Sequence, residues 1–191
     1  MDLSRKMSVI ALENTLRVRM PEPELMLSMD SPATELLSDF ARSIPPMVEG
    51  STPVDEGDSL MRREHCTYKI VISSDEQFLG IITSLDIHSS ETMRATMRTG
   101  LPRNELPVTE VMVPRSELHG MLFSKFERAS VGDVVGLLGS LGERFLLVID
   151  DDTRVLRGLV SSRDVIRRLA LPEIPIKPAR TFSEIQAVLG H

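Results

Sequence analysis

The sequence predicts an α/β (α+β) fold built from two copies of one unit, each ordered strand, helix, β-hairpin, helix. The stretch Gly80-Ile81-Ile82-Thr83-Ser84-Leu85-Asp86-Ile87 recurs as Gly158-Leu159-Val160-Ser161-Ser162-Arg163-Asp164-Val165. In both, an apolar run ends on a hydroxyl residue that can cap a helix with aspartate at its third position, so a strand delivers the chain onto a helix N-terminus twice. The spacing of the copies is kept as well. Val54 and Val131 stand 77 positions apart, Tyr68 and Phe145 also 77, and Gly80 and Gly158 78, which places one added residue in the second hairpin turn at Asp150-Asp151-Asp152-Thr153-Arg154. Turns tolerate such insertions. Two copies make an internal duplication and not a solenoid.

Residues 1–20 fit both a helical face through Val9, Leu12 and Leu16 and a strand-like alternation through Leu16, Val18 and Met20, and their type stays open. Ser31-Pro32, ahead of Leu36, Leu37 and Phe40, predicts a helix over about 32–42. Met47-Val48 suits a short strand after Pro45-Pro46. Thr52-Pro53-Val54-Asp55 reads as a capped helix start with an acidic first turn, the helix running to about His65. The β-rich run Tyr68 to Ile72, the polar turn Ser73 to Gln77 and the apolar run Phe78 to Thr83 predict a hairpin. A helix from Ser84 to about Arg98 closes the first copy. Ser130-Val131-Gly132-Asp133 opens the matching helix of the second copy, and Thr34-Glu35-Leu36-Leu37 matches Thr109-Glu110-Val111-Met112. The tail carries Pro172, Pro175 and Pro178, then a capping-box pattern at Ser183-Glu184-Ile185-Gln186. The expected divisions are 1–30, an N-terminal extension; 31–103 and 104–171, the two units; and 172–191, a tail docked on the body.

A chain of 191 residues that is 41% hydrophobic can bury a core, and no apolar run approaches the roughly 18 residues of a membrane span. With Glu13, Arg17 and Arg19 in the first 20 residues and a single cysteine, Cys66, the expected location is cytoplasmic. A net charge of −6 argues against nucleic acid as partner. His65, His88, His119 and His191 have no metal-ligand spacing, Cys66 reads as a small buried thiol, and no nucleophile elbow, P-loop or dinucleotide fingerprint occurs. The Asp150 to Asp152 trio lacks the spaced ligands of a calcium loop. Arg62-Arg63 and Arg167-Arg168 fit solvated helix faces, with Arg167 or Arg168 placed to pair with Asp164.

The duplicated order of elements, with G-h-h-[T/S]-x-x-D (h, an apolar residue) at each hairpin exit, resembles the cystathionine-β-synthase (CBS) domain family, and the pair resembles a Bateman module. The resemblance covers about residues 30–170, most strongly Tyr68 to Ile87 and Phe145 to Val165, joined by the lead-in Val111-Met112-Val113-Pro114-Arg115. It implies two units packed about a pseudo-twofold axis with two clefts for an adenosine ligand: AMP, ADP, ATP or S-adenosylmethionine. It also implies that adenine lies by short strands around Met47-Val48 and Met121-Leu122. Asp86 and Asp164, acceptor-only carboxylates, suit the two hydroxyls of a ribose, while Thr83 and Ser161 stand where free helix N–H groups attract phosphate. The bland alternative is that both pairs are capping boxes that only satisfy helix ends.

The two copies differ in ways that bear on an anion. Arg163 takes the place of Leu85, and Arg144 that of Thr67, so the cleft at Ser161 and Asp164 is expected to be the tighter. The expected function is that of a non-catalytic regulatory module, a homodimer that senses an adenosine ligand and reports it to a regulated protein by shifting conformation. The alternative is a ligand-free interaction or dimerisation module.

Overall fold

A computed structural model describes residues 27–169; the expectations for residues 1–20 and for the tail helix lie outside the described residues. The duplication is carried into two four-stranded sheets. Strands β1 (Ser38–Asp39), β8 (Leu156–Ser161), β7 (Phe145–Ile149) and β6 (Gly120–Leu122) form one, in that order, and β2 (Met47–Glu49), β3 (Tyr68–Ile72), β4 (Phe78–Thr83) and β5 (Val113–Pro114) the other. The predicted hairpins are present as β3–β4 and β7–β8, antiparallel, and both are irregular at one step, between Val71 and Ile72 and between Val148 and Ile149. Each unit's short strand adds in parallel to its hairpin, with Met47 opposite Ile70 and Gly120 opposite Leu147.

The outer strand of each sheet comes from the other unit's side of the chain. β1 pairs with β8 and β5 with β4, and the apolar residues beside them follow. Leu27, Ala33 and Leu36 are buried among Val131, Val134, Leu138 and Val160, while Leu106, Val108 and Val111 are buried among Val54, Met61, Ile82 and Ile87. The lead-ins are therefore exchanged. This overturns the predicted helix over 32–42: only a 3-10 turn, Ala33–Leu36, forms before Leu37 extends and Ser38 and Asp39 are drawn into pairing with β8. Tertiary pairing has overridden local propensity.

The two units meet through a third apolar cluster of Ile81, Phe145, Leu147 and Leu159, flanked by Tyr68 and Phe78. Tyr68 and Phe145 occupy the same place in their copies and touch each other, ring centroids 5.4 Å apart and edge to face. Equivalent residues in mutual contact are what a pseudo-twofold axis requires.

Helices α1 (Val54–Arg63) and α5 (Val131–Leu141) cover the outer faces. At α5 the Ser130 and Asp133 capping box forms as predicted. At α1 the N-cap is Pro53, without a side-chain cap, so Thr52 does not play that part. The helix predicted from Ser84 to Arg98 is broken into α2 (Ser84–Ile87) and α3 (Ser90–Thr99). Ser89 Oγ bonds the Asp86 carbonyl at 2.7 Å and Thr92 Oγ1 the Ile87 carbonyl at 2.9 Å, which ends one helix, while Ser89 caps the next. α4 (Phe123–Phe126) and α6 (Ser162–Arg168) complete the described helices.

Candidate functional site

Both hydroxyl–aspartate motifs sit where an outward-running hairpin strand ends on a helix, but they are in different states. In the first, Thr83 caps α2. Its N–H donates to Asp86 Oδ2 at 2.9 Å, its hydroxyl to the same oxygen at 2.6 Å, and the Asp86 N–H returns to Thr83 Oγ1 at 3.2 Å. A guanidinium from the other unit then closes the motif. Arg144 Nη2 lies 2.7 Å from Asp86 Oδ1 and Nη1 donates to Thr83 Oγ1 at 3.0 Å. Sequence reading places Arg144 with Ser161 and Asp164; the backbone does run beside them, since Ser162 N–H bonds the Arg144 carbonyl. Its side chain crosses the axis instead. Hairpin starts face each other there, so a long residue at this position meets the opposite unit's motif.

The second motif is open by the same logic, because Thr67 stands where Arg144 would be needed and is too short to repeat the crossing. Ser161 is buried but makes no capping bond, and among the described residues Asp164 pairs with Arg167 of its own helix, at 3.2 Å. The capping-box alternative thus describes the first motif and not the second. The charge of the second motif also acts on Tyr68 of the first unit. Burial pushes its phenol up, a hydrogen bond with the Ser38 side chain pulls it back, and the Asp164 carboxylate raises it again. Arg163 is exposed on α6 with no hydrogen bond or ion pair among the described residues.

A cleft of about 610 Å³ opens between the units along β6. Its apolar walls are Phe78 from the first hairpin, Leu118, Met121 and Leu122, with Leu147 and Ile149 at the floor; Arg115, Ser116 and Arg154 supply polar groups, and Gly120 leaves the strand backbone uncovered. Met121 and Leu122 are thus among the residues that line the cleft. Ser161, Arg163 and Asp164 are not part of its lining. In the first unit Met47 is exposed, while Val48 is buried in the core cluster.

Two cleft groups were not legible from motifs. Arg115 closes the lead-in after β5, and Arg154 sits in the lengthened hairpin turn with φ of 59°. The extra turn residue was the available signal. A third unforeseen group is Lys69, 1% exposed inside an apolar strand, donating to Glu64 at 2.6 Å and to the Met47 carbonyl at 3.3 Å, which ties β2 to the sheet. Elsewhere the chemistry is structural. Burial pushes the Cys66 thiol up, with the nearby Lys69 charge acting against it. Asp150 receives Thr153 and Asp151 caps α4 through Ser124. Among the described residues no group of His, Cys, Asp or Glu is placed to hold a metal, and no helix is long and apolar enough to cross a membrane.

The CBS domain family matches residues 25–90 and 126–171, more than half of the chain. The protein belongs to the CBS domain family, as a tandem pair. Solved structures share the fold. An uncharacterized conserved protein from Pyrococcus horikoshii superposes with a TM-score of 0.53 at 20% identity, over 74% of this chain and 93% of its own. A conserved CBS domain protein of unknown function from Thermoplasma acidophilum gives 0.51 at 18%, over 81% and 77%. CBSX2 from Arabidopsis thaliana in complex with AMP gives 0.50 at 21%, over 72% and 94%. At these identities the likeness is one of fold. No curated protein matches the chain.

Proposed function

We propose that the protein is a non-catalytic regulatory module whose β6 cleft binds an adenosine-type ligand. The observation that carries this is the cleft's make-up: largely apolar walls around a volume of about 610 Å³, an exposed strand backbone at Gly120, and two guanidinium groups among its lining residues. The AMP complex of CBSX2, a pair of the same fold, supports the choice of ligand class. A ligand held between Phe78 of one unit and β6 of the other touches both, so its binding energy differs between relative orientations of the units and shifts their population. A partner protein reads that orientation. We place the protein in the cytoplasm as a homodimer, in which light scattering gives twice the chain mass of 21.3 kDa.

A ligand-free interaction module is the second reading, and one observation favours it: the first motif is already filled by Arg144. The two separate in a thermal-shift panel of AMP, ADP, ATP, S-adenosylmethionine and NAD. A ligand at 100 times its dissociation constant adds about 2.7 kcal/mol, or about 5–11 °C for a chain of this size. A panel with no shift selects the interaction module.

A further inference from the structure

The duplication supplies an internal control for the cleft. Gly80 pairs with Pro114 and Gly158 with Asp39, so Asp39 and Pro114 are equivalent, and with them the next residues, Phe40 and Arg115. Glu49 opposes Ile72 as Leu122 opposes Ile149. Glu76 and Arg154 hold the same left-handed backbone, φ 59°, in their hairpin turns. The β6 cleft thus carries Arg115, Arg154 and Leu122 where the equivalent positions of the first unit are Phe40, Glu76 and Glu49. Two cations line the β6 cleft, and the equivalent positions of the first unit carry two carboxylates and no cation.

Neither cation is explained by folding. The first unit builds the same turn with glutamate in place of Arg154, and it packs Phe40 into the inter-sheet cluster where the second unit leaves Arg115 exposed. Among the described residues neither guanidinium has a hydrogen bond or an ion pair of its own, although the Arg154 charge reaches Asp151. Two uncommitted guanidinium groups flanking an apolar slot are suited to phosphate oxygens, which they grip in bidentate fashion, and they repel a sulfonium.

We infer that Arg115 and Arg154 are specificity-determining residues that make the β6 cleft select phosphorylated ligands and reject adenosine and S-adenosylmethionine. The inference rests on the cleft being the adenosine-ligand site. Each guanidinium contact that a ligand cannot make costs about tenfold in affinity, so the order is ATP over AMP over adenosine.

Titration calorimetry on the full chain tests this with ATP, AMP, adenosine, S-adenosylmethionine and inorganic tripolyphosphate, on the wild type and on Arg154→Glu. The variant installs the residue that the first unit carries at the same φ, so the turn is expected to fold, and an unchanged melting temperature without ligand checks it. ATP is expected to bind at least about tenfold more tightly than adenosine, and Arg154→Glu to weaken ATP about tenfold or more while moving AMP less. Adenosine or S-adenosylmethionine binding as tightly as ATP overturns the charge selection and leaves the adenosine-ligand reading standing. Tripolyphosphate binding as tightly as ATP supports the charge selection and removes the adenosine reading. Silence from both ATP and tripolyphosphate overturns the two together, and equal loss of ATP and AMP in the variant overturns the assignment of Arg154 to the added phosphates.

Discussion

Gly80 and Gly158 are the residues over which each hairpin is crossed by an exchanged lead-in. A Cβ on Gly80 would stand 2.2 Å from the Val113 carbonyl oxygen and 3.0 Å from Pro114 Cα; on Gly158 it would stand 2.5 Å from the Ser38 carbonyl oxygen. Backbone atoms cannot rotate away as a side chain can. Gly80→Ala and Gly158→Ala are therefore each expected to cost about 1–3 kcal/mol, read as a lower denaturant midpoint at unchanged slope. An unchanged midpoint in both would mean that the lead-ins are not held there. A glycine inside an apolar strand run announces a close approach from sequence alone. What approaches could not be read, because Ser38 and Gly158 lie far apart in the chain and their pairing is a property of the assembled sheets.

Among the elements, those decided by neighbours in sequence were the legible ones. The hairpins follow from β-rich runs on either side of polar turns, and α5 from the capping box at Ser130 and Asp133. The lead-in at 32–42 has an equally good local helix signal and loses it to β8, and the helix after Asp86 breaks because Ser89 and Thr92 bond the carbonyls that would continue it. The caps themselves carry a pH signature. Hydrogen bonds from the Ser130 N–H and hydroxyl hold the Asp133 carboxyl below the usual range, and bonds from the Ser124 hydroxyl and N–H do the same for Asp151 at α4. A carboxyl whose folded pKa is depressed contributes stability above its unfolded pKa and loses it as pH falls through the folded value. The denaturant midpoint is expected to hold from pH 7 to about 5 and to fall below about pH 4. Ser130→Ala should lower the midpoint at neutral pH and make the acid decline shallower; an acid decline as steep as that of the parent would show that this cap contributes nothing to it.

At the scale of the whole molecule the two copies of one pattern are in different states. Asp86 is committed to the joint between the units: it caps α2 and receives Arg144 from across the axis, its side chain only 15% exposed. Asp164 stands free of the helix end, with an i to i+3 partner at 72% exposure whose screened pairing a ligand can displace at small cost. The pattern G-h-h-[T/S]-x-x-D is the same in both, so the sequence showed two candidates and could not show that a residue 58 positions away had taken one of them. The two aspartates should consequently fail in different ways. Asp86→Ala removes a cap and leaves the Arg144 guanidinium without its carboxylate, so it is expected to lower stability by about 1–2 kcal/mol while most nucleotide binding survives. Asp164→Ala should leave the melting temperature of the unliganded protein nearly unchanged and weaken nucleotide binding more than Asp86→Ala does for a ligand whose ribose reaches beyond the β6 cleft, which Asp164 does not line, to the motif carboxylate left open. Calorimetric titration and thermal melts of both variants decide the matter, and a larger affinity loss in Asp86→Ala than in Asp164→Ala would reverse the assignment of the two motifs.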